Sequence, residues 1–378
     1  MRICKLFLWV LLLQAMPSCK RAYEPAVLKQ TDQLLVVNGV INTGSNGQTH
    51  INLSRTRNLQ DTVVFHPETG ATIYIEGEGG QQYPVTAVND SGDYVSEALH
   101  LSAAAKYRLA ISTRDGSHYQ SELVSSVQTP PIDSVSWQQP FDINFFVSTH
   151  DPSGNARFYR WDFIETWEHH AQLVTPWHLE NNQLTVATEA NQTTVCWSSQ
   201  FSKEIVMANS AALGEDRISM QPLHVIANPD VRLNYRMSLL VNQYALTPEA
   251  YNYWQIVKKN SQQLGTLFDQ MPSQLIGNLV CLDRPTELVL GYISATAVQS
   301  MRIFVDRREL VDWPLAVTGK DCELNNFDYN PFLLPVFNYS NDNFSVYYFI
   351  TNGPAVMARR TCLDCRYDGG KNQKPAFW

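Results

Sequence analysis

Lys106-Tyr107-Arg108-Leu109-Ala110-Ile111-Ser112 alternates residue by residue. Tyr107, Leu109 and Ile111 fall on one side of an extended chain, and Lys106, Arg108 and Ser112 on the other, which is the period of two that a half-buried strand requires. Working outward, similar short β-like runs recur at 34–41, 50–55, 71–76, 83–88, 94–97 and 119–127. Turn residues separate them at 42–47, 77–80, 89–92 and 115–116. Seven such runs over about 95 residues, with no helical period, predict a small immunoglobulin-like β-sandwich over 34–128. Glu76-Gly77-Glu78-Gly79-Gly80 reads as a hairpin turn, because its acids would repel a phosphate. Thr129-Pro130-Pro131 forbids continued pairing and reads as a stiff linker, so residues 20–129 are expected to fold alone.

The region 132–378 begins in the same style, with runs at 134–138 and 142–149 and a turn at 151–154. In the run 158–167, Tyr159, Trp161, Phe163 and Trp167 share one face, while Arg160, Asp162 and Thr166 share the other. Further runs lie at 195–198, 217–222, 233–244, 286–294 and 300–305. One helix interrupts them near 248–264. Thr247 can cap it, Pro248 fits its first position and Glu249 suits the positive end of its dipole. Tyr251, Trp254, Val257, Ser261 and Leu264 make one face, and Gly265 is a natural stop. The chain is therefore expected to be mainly β: the immunoglobulin-like sandwich, then a larger β-rich domain over 132–378 with one inserted helix.

The segment before these domains has its own pattern. A short basic head with Arg2 and Lys5 precedes the apolar run 6–13, and Ser18 precedes Cys19. Residues 1–18 read as an export signal of the lipoprotein type, cut before Cys19, with fatty acyl groups such as palmitate on the mature cysteine. The apolar run is too short to span a membrane, which takes about 18 residues or more. A plain secretory signal, with Cys19 incidental, is the competing reading. Each acyl chain adds about 0.8 kcal/mol per buried methylene, so several chains anchor firmly. Residues 19–33 then form a polar, lipidated tether.

Without residues 1–18 the chain holds 26 basic against 36 acidic residues, a balance of −10, since Arg2 and Lys5 leave and no acid does. That mild acidity, with no basic run, argues against nucleic acid as a partner and against electrostatic docking on anionic lipid. Five cysteines remain besides Cys4 and Cys19: Cys196, Cys281, Cys322, Cys362 and Cys365. An exported chain meets an oxidising space, so disulfides are expected, and the odd count leaves at least one free thiol. Cys362-Leu363-Asp364-Cys365 has the spacing of a zinc half-site or a redox pair. Zinc would need a second ligand pair, and a redox pair normally opens a helix after a strand. A structural disulfide from Cys322 to Cys362 or Cys365 is favoured over both.

Candidate chemistry is sparse. Glu165, Glu168, His169, His170 and His178 are the densest set of metal-ligand types, but the adjacent histidines point to opposite faces of a strand. Asp162 and Glu165 are likewise on opposite faces, which does not suit a glycosidase carboxylate pair. No Gly-x-Ser-x-Gly elbow occurs, and His100, His118 and His224 have no adjacent catalytic partner. No catalytic residue, metal or cofactor is therefore assigned. The nine tryptophans fill cores or line a contact surface. The aromatic end Pro375-Ala376-Phe377-Trp378 either tucks back onto the domain or docks on a partner.

Three markers carry a family resemblance. The first is Arg157-Phe158-Tyr159-Arg160-Trp161-Asp162 with Glu165-Thr166-Trp167. The second is Pro272-Ser273-Gln274, Gly277-Asn278 and Glu287-Leu288-Val289-Leu290-Gly291-Tyr292. The third is Cys362-Leu363-Asp364-Cys365-Arg366, Gly369-Gly370 and Lys374-Pro375-Ala376-Phe377-Trp378. Together they resemble the Bacteroidota lipoprotein family catalogued as domain of unknown function 4249. The resemblance implies an outer-membrane lipoprotein, often encoded beside a TonB-dependent receptor, and it implies no activity. Lys20-Arg21 follow Cys19 where surface-exposed lipoproteins of that phylum carry acids, so both faces of the membrane stay open. The expected role is a non-enzymatic accessory or binding lipoprotein, held to the outer membrane by lipid on Cys19 and working with such a receptor. The alternatives are a lipid-anchored hydrolase of glycan or peptide, and an adhesin-like structural module.

Overall fold

Alternating side chains need a filled interior on one side, and the N-terminal strands supply it in order. They are β1 (Leu35–Asn42), β2 (His50–Arg55), β3 (His66–Pro67), β4 (Thr72–Gly77), β5 (Gln82–Ala87), β6 (Asp93–Ser96), β7 (Lys106–Ser112), β8 (His118–Ser121) and β9 (Val124–Val127). In β7, Tyr107, Leu109 and Ile111 are buried, as their alternation requires. Gly77 N donates to the Gln81 carbonyl at 2.9 Å, closing the hairpin expected at the acidic glycine run. The computed structural model describes residues 33–57, 66–180, 183–189, 191–262, 275–316, 322–327, 344–350 and 355–378. The expected signal 1–18, Cys19 and all of the tether but Gln33 lie outside the described residues.

The strands that follow are β10 (Ile132–Gln138), β11 (Ile143–His150), β12 (Phe158–His170), β13 (Trp177–Glu180), β14 (Gln183–Val186), β15 (Val195–Phe201), β16 (Val206–Asn209), β17 (Arg217–Ile226) and β18 (Arg236–Leu246). Helix α1 (Pro248–Gln262) comes next, then β19 (Leu279–Cys281), β20 (Ser294–Thr296), β21 (Gln299–Asp306), β22 (Asn325–Phe327), β23 (Phe344–Phe349) and β24 (Ala355–Arg359). Thr247 caps α1, its hydroxyl accepting from Ala250 N at 3.3 Å. Ala250 and Tyr251 of α1 pack with Phe158 and Tyr244, so the helix lies over one end of the strands that carry them. Among the described residues no helix is long and apolar enough to cross a membrane.

The fold is mainly β, and its first unit is a closed barrel. From β7 the ladder runs through β4, β5, β6, β2, β1, β20 and β9, and β9 pairs again with β7, giving eight strands in a ring. The two-sheet, immunoglobulin-like arrangement expected for 34–128 is not the one formed, because β20 arrives from far along the chain and fills the gap between β1 and β9. It pairs parallel with both. β19 adds to β8 outside the ring. Of the run 286–294, expected as a strand, only Ser294 enters one, as the first residue of β20, and Leu290 adds an isolated parallel bridge to Val36. The backbone turns to φ +144° at Gly291, where a Cβ would meet the Val37 carbonyl oxygen at 2.2 Å, so this approach needs glycine. A Cβ on Gly277 would in turn meet the Gly291 carbonyl oxygen at 1.7 Å, so both glycines of the second marker serve one close backbone approach.

Leu279, Val289, Ile293 and Ala295 are buried in the same core as Leu35, Ile51, Ile73 and Leu109. Thr129 and Pro130, in the expected stiff linker, are buried too. The Thr129 and Thr296 hydroxyls are 2.8 Å apart, and Gln243 Nε2 donates to the Pro130 carbonyl at 2.8 Å. Burying Leu279, Val289 and Ile293 contributes roughly 1.5–3 kcal/mol each, which together approaches the whole stability of a domain at about 5–15 kcal/mol. Residues 20–129 by themselves are therefore expected to give a poorly dispersed amide spectrum, and fusing 275–297 to them is expected to restore dispersion. Sharp, dispersed resonances from 20–129 alone would show that the ring closes without β20.

The second unit is a two-layer structure. Sheet β10-β11-β17 faces sheet β15-β12-β18-β21, with β16 paired to β12. Phe145 and Val147 from one layer, and Tyr159, Trp161, Phe163 and Leu239 from the other, fill one core. The opposite, outward face of β12, β18 and β21 carries the features described next.

Candidate functional site

Arg236 begins β18 and stands opposite Asp306, the last residue of β21. Alternation sends Met237, Leu239 and Val241 into the core, so Arg236 projects on the outer face with Phe304, its diagonal neighbour. The Arg236 guanidinium lies 4.3 Å over the Phe304 ring and 5.7 Å over the Trp378 ring. Beside it Arg302 lies 3.5 Å over Phe377, and its Nη1 donates to the Ser238 hydroxyl at 2.5 Å.

The C-terminal segment reaches this face by a series of local devices. Cys365 is bonded to Cys196 of β15, and Cys322 to Cys362. The two cysteines of the C-x-x-C run thus bridge to different partners and are not a redox pair with each other. The Cys196 bridge had no local signal, its partner being 169 residues away. Cys281 is a buried free thiol. Gly369 has φ 80° and ends the 3-10 turn Cys365–Asp368. A Cβ on Gly370 would lie 2.4 Å from His169 Nε2 and 2.6 Å from Cys196 Cβ, so only glycine passes there. Lys371 and Trp197 then exchange backbone hydrogen bonds of 3.0 and 2.9 Å, and Trp378 ends edge-on to both Trp197 and Phe304. Of the two readings of the aromatic end, tucking back onto the domain is the one seen.

This segment walls a cleft. Two adjoining hollows of about 520 and 540 Å³ share Arg236, Asp306 and Arg308, and the first is completed by Tyr235, Lys374 and Trp378 among others. Arg308 grips Asp306 through Nε and Nη2 at 2.9 and 2.8 Å, which holds that carboxyl down at about 2. The Tyr235 ring stacks on His170, centroids 3.6 Å apart, and burial together with the Glu168 charge pushes the Tyr235 hydroxyl up. Glu168 Oε1 lies 2.7 Å from His170 Nε2.

The polar residues singled out from sequence are dispersed. Glu168 lines the cleft and His170 stacks on Tyr235, while His169 turns to the opposite face and meets the Ser198 hydroxyl at 3.0 Å. His178 is buried on the separate β13–β14 hairpin. His118 faces Asp283 at 3.2 Å in solvent, and His100 is exposed. Asp162 is on the outer face, where Asn242 Nδ2 donates to it at 2.9 Å. Glu165, 3% exposed, is inside. Arg232 Nη1 donates to its two oxygens at 2.8 and 2.9 Å, and His224 Nε2 lies 3.2 Å from it. Arg232 also grips Asp230, through Nε at 2.9 Å and Nη2 at 2.8 Å. The charged groups of this array are all paired, His224 Nδ1 alone being left without a partner, and with Glu165 on one layer and His224 on the other it holds the two layers together. Among the described residues, no three His, Cys, Asp or Glu side chains are placed to hold a metal ion. Sequence reasoning flagged the aromatic chain end but not its arginine partners, which lie on distant strands.

Comparison with known proteins adds the family. No curated protein matches the chain. A solved chitinase, ChiA74 from Bacillus thuringiensis, shares 10% identity with a TM-score of 0.16, over 48% of this chain and 29% of its own; that likeness carries no argument. The model of the family described as "Domain of unknown function (DUF4249)" matches residues 20–302, which takes in the first two sequence markers and ends before the cysteine-rich third. The chain belongs to the DUF4249 family.

Proposed function

We propose that this protein is a non-catalytic binding lipoprotein of the Bacteroidota outer membrane, anchored through Cys19 and working beside a TonB-dependent receptor. The observation that supports binding is the open cleft at Arg236, walled by Tyr235 and Trp378. Arginine and large aromatic side chains on a rigid sheet are the residues that binding sites favour, since they offer contact area at low ordering cost. The anchor is supported by the signal-like residues 1–18. A lipid anchor confines the protein to the receptor's plane and raises the effective concentration of each for the other. An immunoglobulin-like form for 34–128 is not needed for this role, since any rigid β unit would carry the cleft.

Tagged protein from gently solubilised outer membrane is expected to bring down a large β-barrel protein in near-equal amount. Cys19→Ser should move the protein to the soluble fraction and lose that partner. Recovery of the anchored protein alone, across several mild detergents, would overturn the receptor role. Membrane retention of the Cys19→Ser protein would overturn the lipid anchor.

A further inference from the structure

The cationic groups of the cleft are not all spent. Arg236 rests on Phe304 and Trp378, and its guanidinium meets no hydrogen-bond acceptor among the described residues. Lys374, exposed on the rim of the same hollow, has no acidic partner among them either. Of the acids nearby, Asp306 is held by Arg308 and Glu168 is at His170, which leaves the exposed Glu309 on the rim of the adjoining hollow. Arg236 and Lys374 against Glu309 leave the unused capacity positive on balance, in a chain whose formal net charge is −8. Stacking leaves the N–H fork of a guanidinium free at its edge and removes most of the rotamer freedom that binding would otherwise have to freeze. A fork so held matches a carboxylate or phosphate, whose two oxygens can each accept one N–H.

We propose that this cleft binds an oxyanion, carboxylate or phosphate monoester, carried on a flat body that lies along Trp378 and Tyr235. The proposal rests on the binding role above and names the chemical class of the ligand.

The test uses the full chain in mild detergent and calorimetric titration with four probes: benzoate, phenyl phosphate, benzamide and inorganic phosphate. Benzoate or phenyl phosphate is expected to bind at least about tenfold more tightly than uncharged, isosteric benzamide, as loss of a charge-assisted pair implies. The difference between the two anions tells which oxyanion the fork prefers. Inorganic phosphate should be weaker than phenyl phosphate, since it lacks the flat body. Arg236→Met should lose about tenfold, and Arg236→Lys should lose most of that, because the charge remains but the fork does not. Lys374→Met, at an exposed position that folding does not need, should lose about threefold and weaken the salt dependence. Equal binding of benzamide and benzoate, no binding of any probe, inorganic phosphate as tight as phenyl phosphate, or unchanged affinity in both Arg236→Met and Lys374→Met would each overturn the proposal. Co-purification of the β-barrel partner is scored separately, so the receptor role can stand while this assignment falls.

Discussion

Replacing Cys196 and Cys365 by serine is expected to cost the folded state about 5 kcal/mol and to open the cleft. The bridge closes a loop of 169 residues, and the chain-entropy relation gives roughly 5 kcal/mol for a loop of that length. The same bond starts the path that carries Gly370 past His169, Lys371 onto Trp197 and Trp378 onto Phe304. Releasing it frees the segment that forms one wall. Denaturant titration should show the stability loss, and the Cys322–Cys362 bridge, closing only 40 residues, should show a smaller one of roughly 4 kcal/mol. Probe affinity at the cleft should fall with the first pair of substitutions. A stability change under about 1 kcal/mol for Cys196 and Cys365 would mean that the unfolded chain gains no freedom from the cut, contrary to the loop-entropy account.

Arg232→Met is expected to destabilise by about 3–5 kcal/mol, because it strands the buried Glu165 carboxylate that the guanidinium now compensates. Glu165 is 3% exposed and takes both of its Arg232 hydrogen bonds from Nη1. The double variant Arg232→Met with Glu165→Gln leaves no uncompensated charge at position 165 and should recover part of the loss. The pH dependence has a definite sign. Burial pushes the Asp230 carboxyl up, but Arg232 and a backbone N–H outweigh it and hold it below its ordinary value of 3.8. A carboxyl lowered on folding contributes stability above its unfolded pKa and loses it as pH falls through the folded one. Asp306, held at about 2 by Arg308, acts in the same direction. Unfolding midpoints should therefore be flat near neutrality and fall below about pH 4, and Arg232→Met should flatten the part due to Asp230. Equal midpoints for the parent and Arg232→Met at pH 7 would show that the ion array carries no stability.

Much of the local structure was legible in the chain. The alternation of 106–112 and 158–165 matches the buried and exposed faces of β7 and β12, because side-chain period reports which side of a strand meets an interior; Thr166, expected outward, is buried, and Trp167 is half-buried. Thr247-Pro248-Glu249 marked the start of α1, because caps and first-turn acids act through their own backbone neighbours. The glycines of the second and third markers stood out before their cause was visible. Gly277 and Gly291 let two stretches of backbone pass, and Gly370 lets the chain pass His169 and Cys196.

Partners were not legible. The short alternating runs over 34–128 show β-strands but nothing of β20, whose three residues pair with β1 and β9. His224 seemed to lack a partner because Glu165 lies on another strand. Arg236 reads as an ordinary strand residue until Phe304 and Trp378 close on it. By itself the sequence determined the β class, the inward and outward faces of the long strands, the position of the helix, and the signal-like pattern ending at Cys19. The tertiary structure alone decided the closed ring, the Cys196–Cys365 bridge and the cleft. The physical reason is that local pattern records how each residue divides between water and interior, an energy set by neighbours one to four positions away. Which distant strand fills a gap, or which ring lies under a guanidinium, depends on packing summed over elements far apart in the chain, and no short window of sequence contains that sum.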